Sequence, residues 1–307
     1  MVKPRALRPG DTIGIVAPAG PVDPGKLSDG IKRLESLGFK TLLGESVYRS
    51  YRYLAGHDQE RLGDLVGVYQ KPEVRAVIAA RGGYGTLRLI PHLTPRLFLQ
   101  DPKIVVGSSD LTFLLLYLLK QCGLVVFHGP MVAPNFGHVP SSLTDDFFLK
   151  VLSPRISDET LTYPSVEALK NGMGEGVLTG GCLSMVCGSI GTPFEIETEG
   201  HVLFLEDTNE PPFRIDRVLN YLKATGKLKG IRGIIFGKMD RCHPSQEAGY
   251  TLQEVLLDSL TDFKGPILYG FPSGHGGDNV TLPFGLRVSV DGKRGRVILL
   301  EQAVVSS

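Results

Sequence analysis

The chain has 307 residues, of which 42% are hydrophobic and 21% charged, and its formal net charge is +1. A chain of this length exceeds what one hydrophobic core usually holds together, so we expect two domains. The near-neutral charge, without any basic run, excludes an electrostatic surface for nucleic acid, and no apolar stretch is long enough to span a membrane.

Strands and helices alternate along the first half of the chain. The predicted strands are short and apolar, and the predicted helices carry apolar residues at the spacing of one helical face. This alternation predicts a parallel sheet with helices on both faces, in a flavodoxin-like or Rossmann-like α/β domain. We expect strands over 12–20 (ending in a turn), 39–43, 74–80, 104–106 and 123–128, and helices over 24–37, 58–70, 86–90 and 111–120.

The second half of the chain has a different pattern. Turn signals crowd the stretch 153–176, which we interpret as a linker between a domain over 1–152 and another over 177–307. Short strands predominate after it, so we expect a smaller mixed-β or barrel-like domain. The predicted strands are 175–179, 201–206, 233–237, 267–269, 287–290 and 296–300, and the predicted helices are 214–225 and 252–260.

The cysteines and the first residues bear on cofactors and location. The four cysteines form no CxxC pair and no Cys/His cluster with zinc spacing, so we expect neither a metal ion nor a cofactor. The basic start of the chain lacks the apolar region and cleavage site of a secretory signal peptide. We therefore expect a cytoplasmic protein.

A buried strand, a tight turn and an apolar helix follow one another at 103–120. The turn is Gly107-Ser108-Ser109-Asp110, and this order of elements is the setting in which a nucleophilic serine is held above a sheet. The same residues also fit a helix cap formed by Ser109 or Asp110, and caps are far commoner than catalytic serines. Both interpretations stay open on this stretch alone.

The turn at 82–85 is rich in glycine and follows a predicted strand. It has neither a G-x-G-x-x-G pattern nor a Walker lysine, so a dinucleotide site is not expected. In a parallel sheet this turn shares the ligand-binding edge with the turn at 18–20 and with the Ser109 turn. Its main-chain N–H groups are candidates for binding an oxyanion, and a plain tight turn is the alternative.

Two later strand ends supply an acid and a histidine. An apolar strand runs directly into Glu206 and Asp207, which is where the orienting carboxylate of a triad belongs, although a turn cap fits equally well. His275 lies in the glycine-rich loop 271–279 and is the best general-base candidate among the seven histidines. The order serine, acid, histidine is that of the α/β-hydrolase triads, but triads recur on unrelated folds.

Taken together, these motifs resemble the L,D-carboxypeptidases of the S66 serine peptidase family. The resemblance covers almost the whole chain, with the motifs in the family's order. It departs from the family at Ser108, where an aromatic residue is usual, and at Cys182, where asparagine is common. The motifs are 9–13, 17–18, 81–85, 107–110, 180–184, 205–207, 212–217, 274–275 and 279–283.

The resemblance implies a function and a set of site residues. It implies a triad of the nucleophile Ser109, the acid Glu206 and the base His275. It also implies an oxyanion hole formed by the main-chain N–H groups of Gly83 and Asp110. The expected reaction is the release of terminal D-alanine from murein tetrapeptides during cell-wall recycling in the cytoplasm. The family further implies a small peptide as the binding partner, no metal, and a homodimer.

Three points remain open at this stage. A carboxypeptidase needs a cation for the substrate's terminal carboxylate, and Arg81 and Arg214 are candidates, with structural salt bridges as the alternative. A sister branch of the family, of the microcin C immunity type, hydrolyses aminoacyl-nucleotides, so this activity is the alternative within the same class. A non-catalytic protein that binds ligands in an interdomain cleft is the alternative from a different class.

Overall fold

Two β-sheets, of six and eight strands, organise the chain in the computed structural model, which describes residues 1–139, 141–153 and 160–306. The strands within these residues are β1 (Thr12–Val16), β2 (Lys40–Leu43), β3 (Val74–Ala79), β4 (Ile104–Gly107), β5 (Val126–His128), β6 (Thr160–Thr162), β7 (Glu167–Lys170), β8 (Met173–Cys182), β9 (His201–Thr208), β10 (Gly233–Asp240), β11 (Ile267–Tyr269), β12 (Leu282–Phe284), β13 (Arg287–Asp291) and β14 (Arg296–Leu299). The α-helices are α1 (Pro24–Ser36), α2 (Asp58–Gln70), α3 (Pro95–Leu99), α4 (Thr112–Cys122), α5 (Ser142–Leu152), α6 (Leu183–Gly188), α7 (Pro212–Ala224) and α8 (Leu252–Ser259).

The first sheet is parallel apart from one strand. Its order is β2-β1-β3-β4-β5, followed at the edge by β12, which pairs antiparallel with β5. The parallel part has the 2-1-3-4-5 order of flavodoxin-like sheets, so the predicted fold of this half is confirmed. Because the order reverses between β1 and β3, the turns that follow these two strands border a crevice at the carboxyl edge.

The second sheet is mixed, as the sequence predicts. Its order is β6-β14-β13-β8-β9-β10-β11-β7, with β8 to β11 mutually parallel along β8-β9-β10-β11 and the remaining pairs antiparallel. The parallel centre brings the carboxyl ends of β9 and β10 to one edge. The side chains that follow these strands are therefore neighbours in space.

The stretch 153–176, interpreted from the sequence as a linker, holds part of the second sheet. It contains β6, β7 and the start of β8, which pair with β14, β11 and β13. Residues 154–159 of the predicted linker lie outside the described residues. The division of the chain into domains at these boundaries stays a prediction. The sequence after 177 contributes strands to both sheets, because β12 belongs to the first sheet and the other strands to the second.

Helix α4 lies in the interior and carries the predicted nucleophile turn at its start. Seven consecutive residues from Thr112 to Leu118 are buried, as expected for a helix that is apolar on every side. The helix contacts both β5 of the first sheet and β8 of the second. Its first turn is therefore held between the two sheets. Within the described part of the chain, every helix falls short of the length and apolarity needed to cross a bilayer.

Helix α1 packs closely on the turn over Val132–Phe136, and a glycine pair tests this contact. A Cβ at Gly30 would lie 2.4 Å from the carbonyl oxygen of Val132, whereas a Cβ at Gly63 in α2 meets no atom within 4 Å. We expect Gly30→Ala to lower the free energy of unfolding by about 1–3 kcal/mol through overpacking. Gly63→Ala should raise it by about 0.4–1 kcal/mol, because alanine restricts the unfolded chain.

Urea denaturation of the two variants and the unchanged protein measures both effects. Equal stabilisation by both substitutions would contradict the close packing of α1.

Candidate active site

The turn after β4 places two adjacent serines in different conformations. Ser108 is extended, with a φ of −146°, and is only 3% exposed. Ser109 is half-buried and has a φ of +60°, in the left-handed region that residues with a side chain rarely adopt. Ser109–Leu111 then forms a single 3₁₀ turn that leads into α4. Strain of this kind persists only where the surroundings enforce it, and it marks Ser109 of the two serines.

The glycine turn after β3 lies against this serine turn. A Cβ at Gly82 would stand 2.8 Å from Ser109 Cβ, 3.0 Å from Ser109 Oγ and 3.6 Å from the Asp110 nitrogen. Gly83 has a φ of +116°, and a Cβ there would meet the Cα of Gly20 at 3.2 Å. Only glycine fits these positions without displacing a neighbour. The structure thus brings Gly83, Ser109 and Asp110 to one edge of the first sheet.

Buried polar contacts fix the positions of these turns. The Asp110 carboxylate accepts a hydrogen bond from the Thr86 N–H at 2.8 Å, and burial raises the pKa of this carboxyl group. Arg61 on α2 is fully buried and donates to the carbonyl oxygens of Pro18 and Gly85, the latter at 3.0 Å. Arg61 therefore links the turn after β1 to the turn after β3. The sequence does not reveal this role of Arg61, because an arginine within a helix usually faces solvent.

Glu206 and His275 form a short contact. Glu206 on β9 is fully buried, and its Oε2 accepts hydrogen bonds from the His275 main-chain N–H at 3.1 Å and from Nδ1 at 2.6 Å. A Cβ at Gly274 would lie 2.7 Å from the same oxygen, so glycine is required there. Because Nδ1 donates to Glu206, Nε2 is the ring nitrogen left to accept a proton.

The environment of His275 changes its proton affinity. Burial acts to lower the pKa of His275, but the hydrogen bond and the negative charge of Glu206 outweigh it, and the net shift is upward from the ordinary value of 6.5. Asp207 and Asp240 add to the upward shift. The imidazolium form is therefore stabilised in place, as a base that must hold a proton briefly requires.

The neighbouring Asp207 has a structural part in this edge. Its carboxylate accepts hydrogen bonds from the Ser184 N–H at 2.9 Å and hydroxyl at 2.6 Å, and from the Thr208 N–H at 2.8 Å. The Cys182 Sγ lies 3.6 Å from it, and burial raises the pKa of that thiol well above its usual value. Of the two carboxylates at the end of β9, Glu206 is the one that contacts the histidine.

The histidine loop of the second half is tied to the first half of the chain. The Gly276 carbonyl accepts a hydrogen bond from Asn135 Nδ2 at 3.2 Å, and the Asn279 N–H donates to Thr144 Oγ1 at 2.9 Å. Asn279 Oδ1 also accepts from the Gly274 N–H at 3.0 Å. These bonds hold the position of His275 against the elements that follow β5.

A cavity of about 410 Å³ lies between the serine turn and the histidine loop. Across the residues that the structure describes, no three His, Cys, Asp or Glu side chains are grouped to hold a metal ion. The cavity is open to solvent on one side and is large enough for an amino acid. Its walls are formed by Ser108, Met131, Pro134, Asn135, His138, Asp240, Arg241 and the loop Gly274–Gly277.

The two arginines proposed from the sequence lie away from these walls. Arg81 is exposed, and its Nη1 donates to the Pro21 carbonyl at 2.9 Å. Arg214 on α7 is 55% exposed and pairs with Glu210 at 3.3 Å. Neither residue belongs to the cavity wall described above. Their role as carboxylate ligands stays a prediction.

Comparison with known proteins identifies relatives over nearly the whole chain. A family model described as the LD-carboxypeptidase N-terminal domain matches residues 13–129, and one described as the LD-carboxypeptidase C-terminal domain matches residues 175–290. A probable murein peptide carboxypeptidase from Bacillus subtilis is 39% identical over 94% of this chain and 91% of its own.

Solved structures give the same result for the fold. The muramoyltetrapeptide carboxypeptidase from Oxalobacter formigenes superposes with a TM-score of 0.82 at 32% identity, over 94% of this chain and 97% of that one. The microcin C7 self-immunity protein MccF in complex with aspartyl sulfamoyl adenosine has a TM-score of 0.94 at 25% identity, over 99% of this chain and all of that one. The MccF of Escherichia coli is 28% identical over 96% of this chain and 95% of its own.

The contact between Glu206 and His275 predicts a proton affinity that NMR measures directly. We expect the imidazole of His275 to titrate above the ordinary value of 6.5, and Glu206→Gln to lower its pKa, because the substitution removes the negative charge. Asp262→Asn, on the exposed surface beside Lys223, is the control and should leave the titration unchanged. A pKa of His275 that does not respond to Glu206→Gln would contradict the described geometry.

Proposed function

The chain belongs to the LD-carboxypeptidase family and is therefore a peptidase, and we propose that it releases the terminal D-alanine of murein tetrapeptides by acyl transfer through Ser109, Glu206 and His275. The names of its relatives supply the substrate class. One observation carries the assignment of residues. His275 lies on the cavity wall beside the serine turn and makes its 2.6 Å contact with the buried Glu206 through Nδ1, leaving Nε2 for a proton.

In the first half of the reaction, Ser109 attacks the scissile carbonyl carbon. His275 Nε2 takes the hydroxyl proton as the Oγ–C bond forms, and the carbonyl oxygen becomes an oxyanion. Glu206 holds the imidazole in the required tautomer and stabilises its cation. The raised pKa of His275 supports this role, because the proton must stay on the ring until the leaving group takes it.

The oxyanion is held by two main-chain donors in this proposal. They are the N–H groups of Gly83 and Asp110, on turns whose close approach requires glycine at position 82. The Asp110 carboxylate already accepts a hydrogen bond from Thr86, so the main-chain N–H of Asp110 is the group available to the substrate. Losing one such donor typically lowers the rate about 10²–10³-fold.

In the second half, the tetrahedral intermediate collapses and the bond to D-alanine breaks. The proton on His275 passes to the leaving nitrogen, and D-alanine departs as a free amino acid. A water molecule then gives a proton to His275 and attacks the acyl-enzyme. The shortened peptide leaves with a new carboxyl group, and Ser109 regains its proton.

Hydrolysis of aminoacyl-nucleotides is the second candidate, and the likeness to MccF favours it. The MccF structure named above holds an aspartyl sulfamoyl adenosine. This chain contains no tryptophan, the aromatic residue with the largest surface for stacking on a nucleobase, which argues for the peptide. We retain the cytoplasmic location and the homodimer as further parts of the proposal, supported by the family resemblance.

Serine substitutions test the nucleophile. We expect Ser109→Ala to reduce release of D-alanine from a murein tetrapeptide by about 10⁴–10⁶-fold, and His275→Ala to do the same, since triad members act as a unit. Ser108→Ala should keep most of the activity, because the backbone of Ser108 is extended and lacks the left-handed strain that marks Ser109. Circular dichroism verifies folding, and chromatography of released D-alanine gives the rate.

The outcomes separate the candidate functions. Loss of activity in Ser108→Ala alone would show that the assignment of Ser109 is wrong. Faster turnover of an aminoacyl-sulfamoyl adenosine than of the tetrapeptide would favour the second candidate. If the unchanged protein hydrolyses neither compound, a non-catalytic binding protein becomes the better description.

A further inference from the structure

The proposed reaction restricts where the substrate's terminal carboxylate lies. His275 must pass its proton to the nitrogen of the departing D-alanine. The D-alanine therefore lies on the side of the site where His275 stands. The nitrogen and the carboxyl carbon of an amino acid are only about 2.5 Å apart. The terminal carboxylate therefore lies within reach of the walls that also hold His275. A cation on these walls is the group that would recognise it.

Arg241 is the one lysine or arginine among the described residues that form the cavity wall. It directly follows β10 and shares the wall with His275 and with the Gly274–Gly277 loop. Its φ is +55°, in the left-handed region, although it carries a long side chain. Such backbone strain persists only where neighbouring contacts enforce it, and it concentrates at ligand-binding positions.

Neighbouring groups hold one edge of the Arg241 guanidinium and leave another open. Nε donates to Asp240 Oδ2 at 3.0 Å, Nη2 pairs with the same oxygen at 3.0 Å, and Nη2 also donates to Thr208 Oγ1 at 3.4 Å. Thr208 in turn donates to Asp240 Oδ2 at 3.0 Å. Among the described residues, Nη1 makes no hydrogen bond, and the side chain is 69% exposed. The two N–H groups of Nη1 are therefore the donors that remain for a carboxylate.

The other cations near the site are less suited to this role. Lys238 lies beside the histidine loop, where a Cβ on Gly276 would stand 3.5 Å from its Nζ, but it does not form part of the cavity wall. Arg81 lies beside the glycine turn, with Nη2 3.9 Å from where a Cβ on Gly83 would stand, but neither Arg81 nor Arg214 forms part of the cavity wall. Arg241 thus combines a place on the wall with unused donors.

We propose that Arg241 binds the carboxylate of the departing residue and makes the enzyme selective for peptides with a free C-terminal acid. The inference rests on the proposed function and assigns the carboxylate to Arg241, as an alternative to the sequence-based candidates Arg81 and Arg214. Asp240 and Thr208 act as positioning residues, since they hold the guanidinium without contacting the substrate. The selectivity comes from two charge-assisted hydrogen bonds that a C-terminal amide cannot accept in the same way.

A substrate pair isolates this contact. We compare a murein tetrapeptide that ends in D-alanine with the same peptide ending in D-alaninamide, and measure kcat/KM for both. The unchanged enzyme should prefer the acid about 10- to 100-fold, the range expected for hydrogen bonds to a charged group. Arg241→Gln should lose that preference by slowing the acid alone, while turnover of the amide stays within about twofold.

A matched control and two rival variants complete the design. Arg287→Gln removes an exposed arginine on β13 that pairs with Glu175 and is not part of the cavity wall, and it should keep the full preference. Arg241→Lys should restore part of the preference, because lysine keeps the charge without the planar fork. Arg81→Gln and Lys238→Gln should keep it.

The results separate the inference from the function on which it rests. If Arg241→Gln keeps the preference for the acid, or if Arg81→Gln or Lys238→Gln abolishes it, the assignment of Arg241 is wrong while the peptidase activity stands. If the unchanged enzyme releases D-alanine or D-alaninamide from neither peptide, the proposed function fails and the inference fails with it.

Discussion

The hydrogen bond from His275 Nδ1 to the buried carboxylate of Glu206 is the interaction on which the rest of the site depends. A carboxylate removed from water is costly unless donors satisfy it, and His275 supplies two of them, from its main chain and from its ring. The contact needs glycine at position 274 and a loop tied to Asn135 and Thr144. Strand β9 supplies Glu206, the loop after β11 supplies His275, and hydrogen bonds with Asn135 and Thr144 of the first half hold that loop in place.

The order of strands in the first sheet sets the other constraint. The reversal between β1 and β3 opens a crevice at the carboxyl edge, and the glycine turn after β3 meets the serine turn after β4 there. A Cβ on Gly82 would stand within 3.0 Å of Ser109 side-chain atoms, so a larger residue there would displace the serine. Arg61 donates hydrogen bonds to both the glycine turn and the turn after β1, and so links the two. Residues that follow strands of both sheets thus border one cavity.

Much of this arrangement follows from the sequence, because strand and helix periodicity is local. The parallel sheet, the mixed sheet and the three turns at the carboxyl edge were all predictable from it. The strands β6 and β7 were not, since they lie in the stretch 153–176, where turn signals predominate, and each is at a sheet edge. The pairing of β12 with β5 joins residues about 150 positions apart, which no local pattern encodes.

The contacts of Arg61 and Arg241 likewise depend on neighbours that only the fold supplies. The different partners of Glu206 and Asp207 do have a sequence signal, since successive residues of a strand face opposite sides.

The proposed reaction requires Ser109, in its strained left-handed conformation, to be the nucleophile. A fluorophosphonate reacts covalently with an activated serine, and fragment-ion mass spectrometry of the labelled peptide distinguishes Ser108 from Ser109. We expect one phosphonyl group per chain, on Ser109, formed in step with the loss of D-alanine release and abolished by His275→Ala. Inactivation with the label on Ser108, or on any residue outside the turn at 107–110, would contradict it.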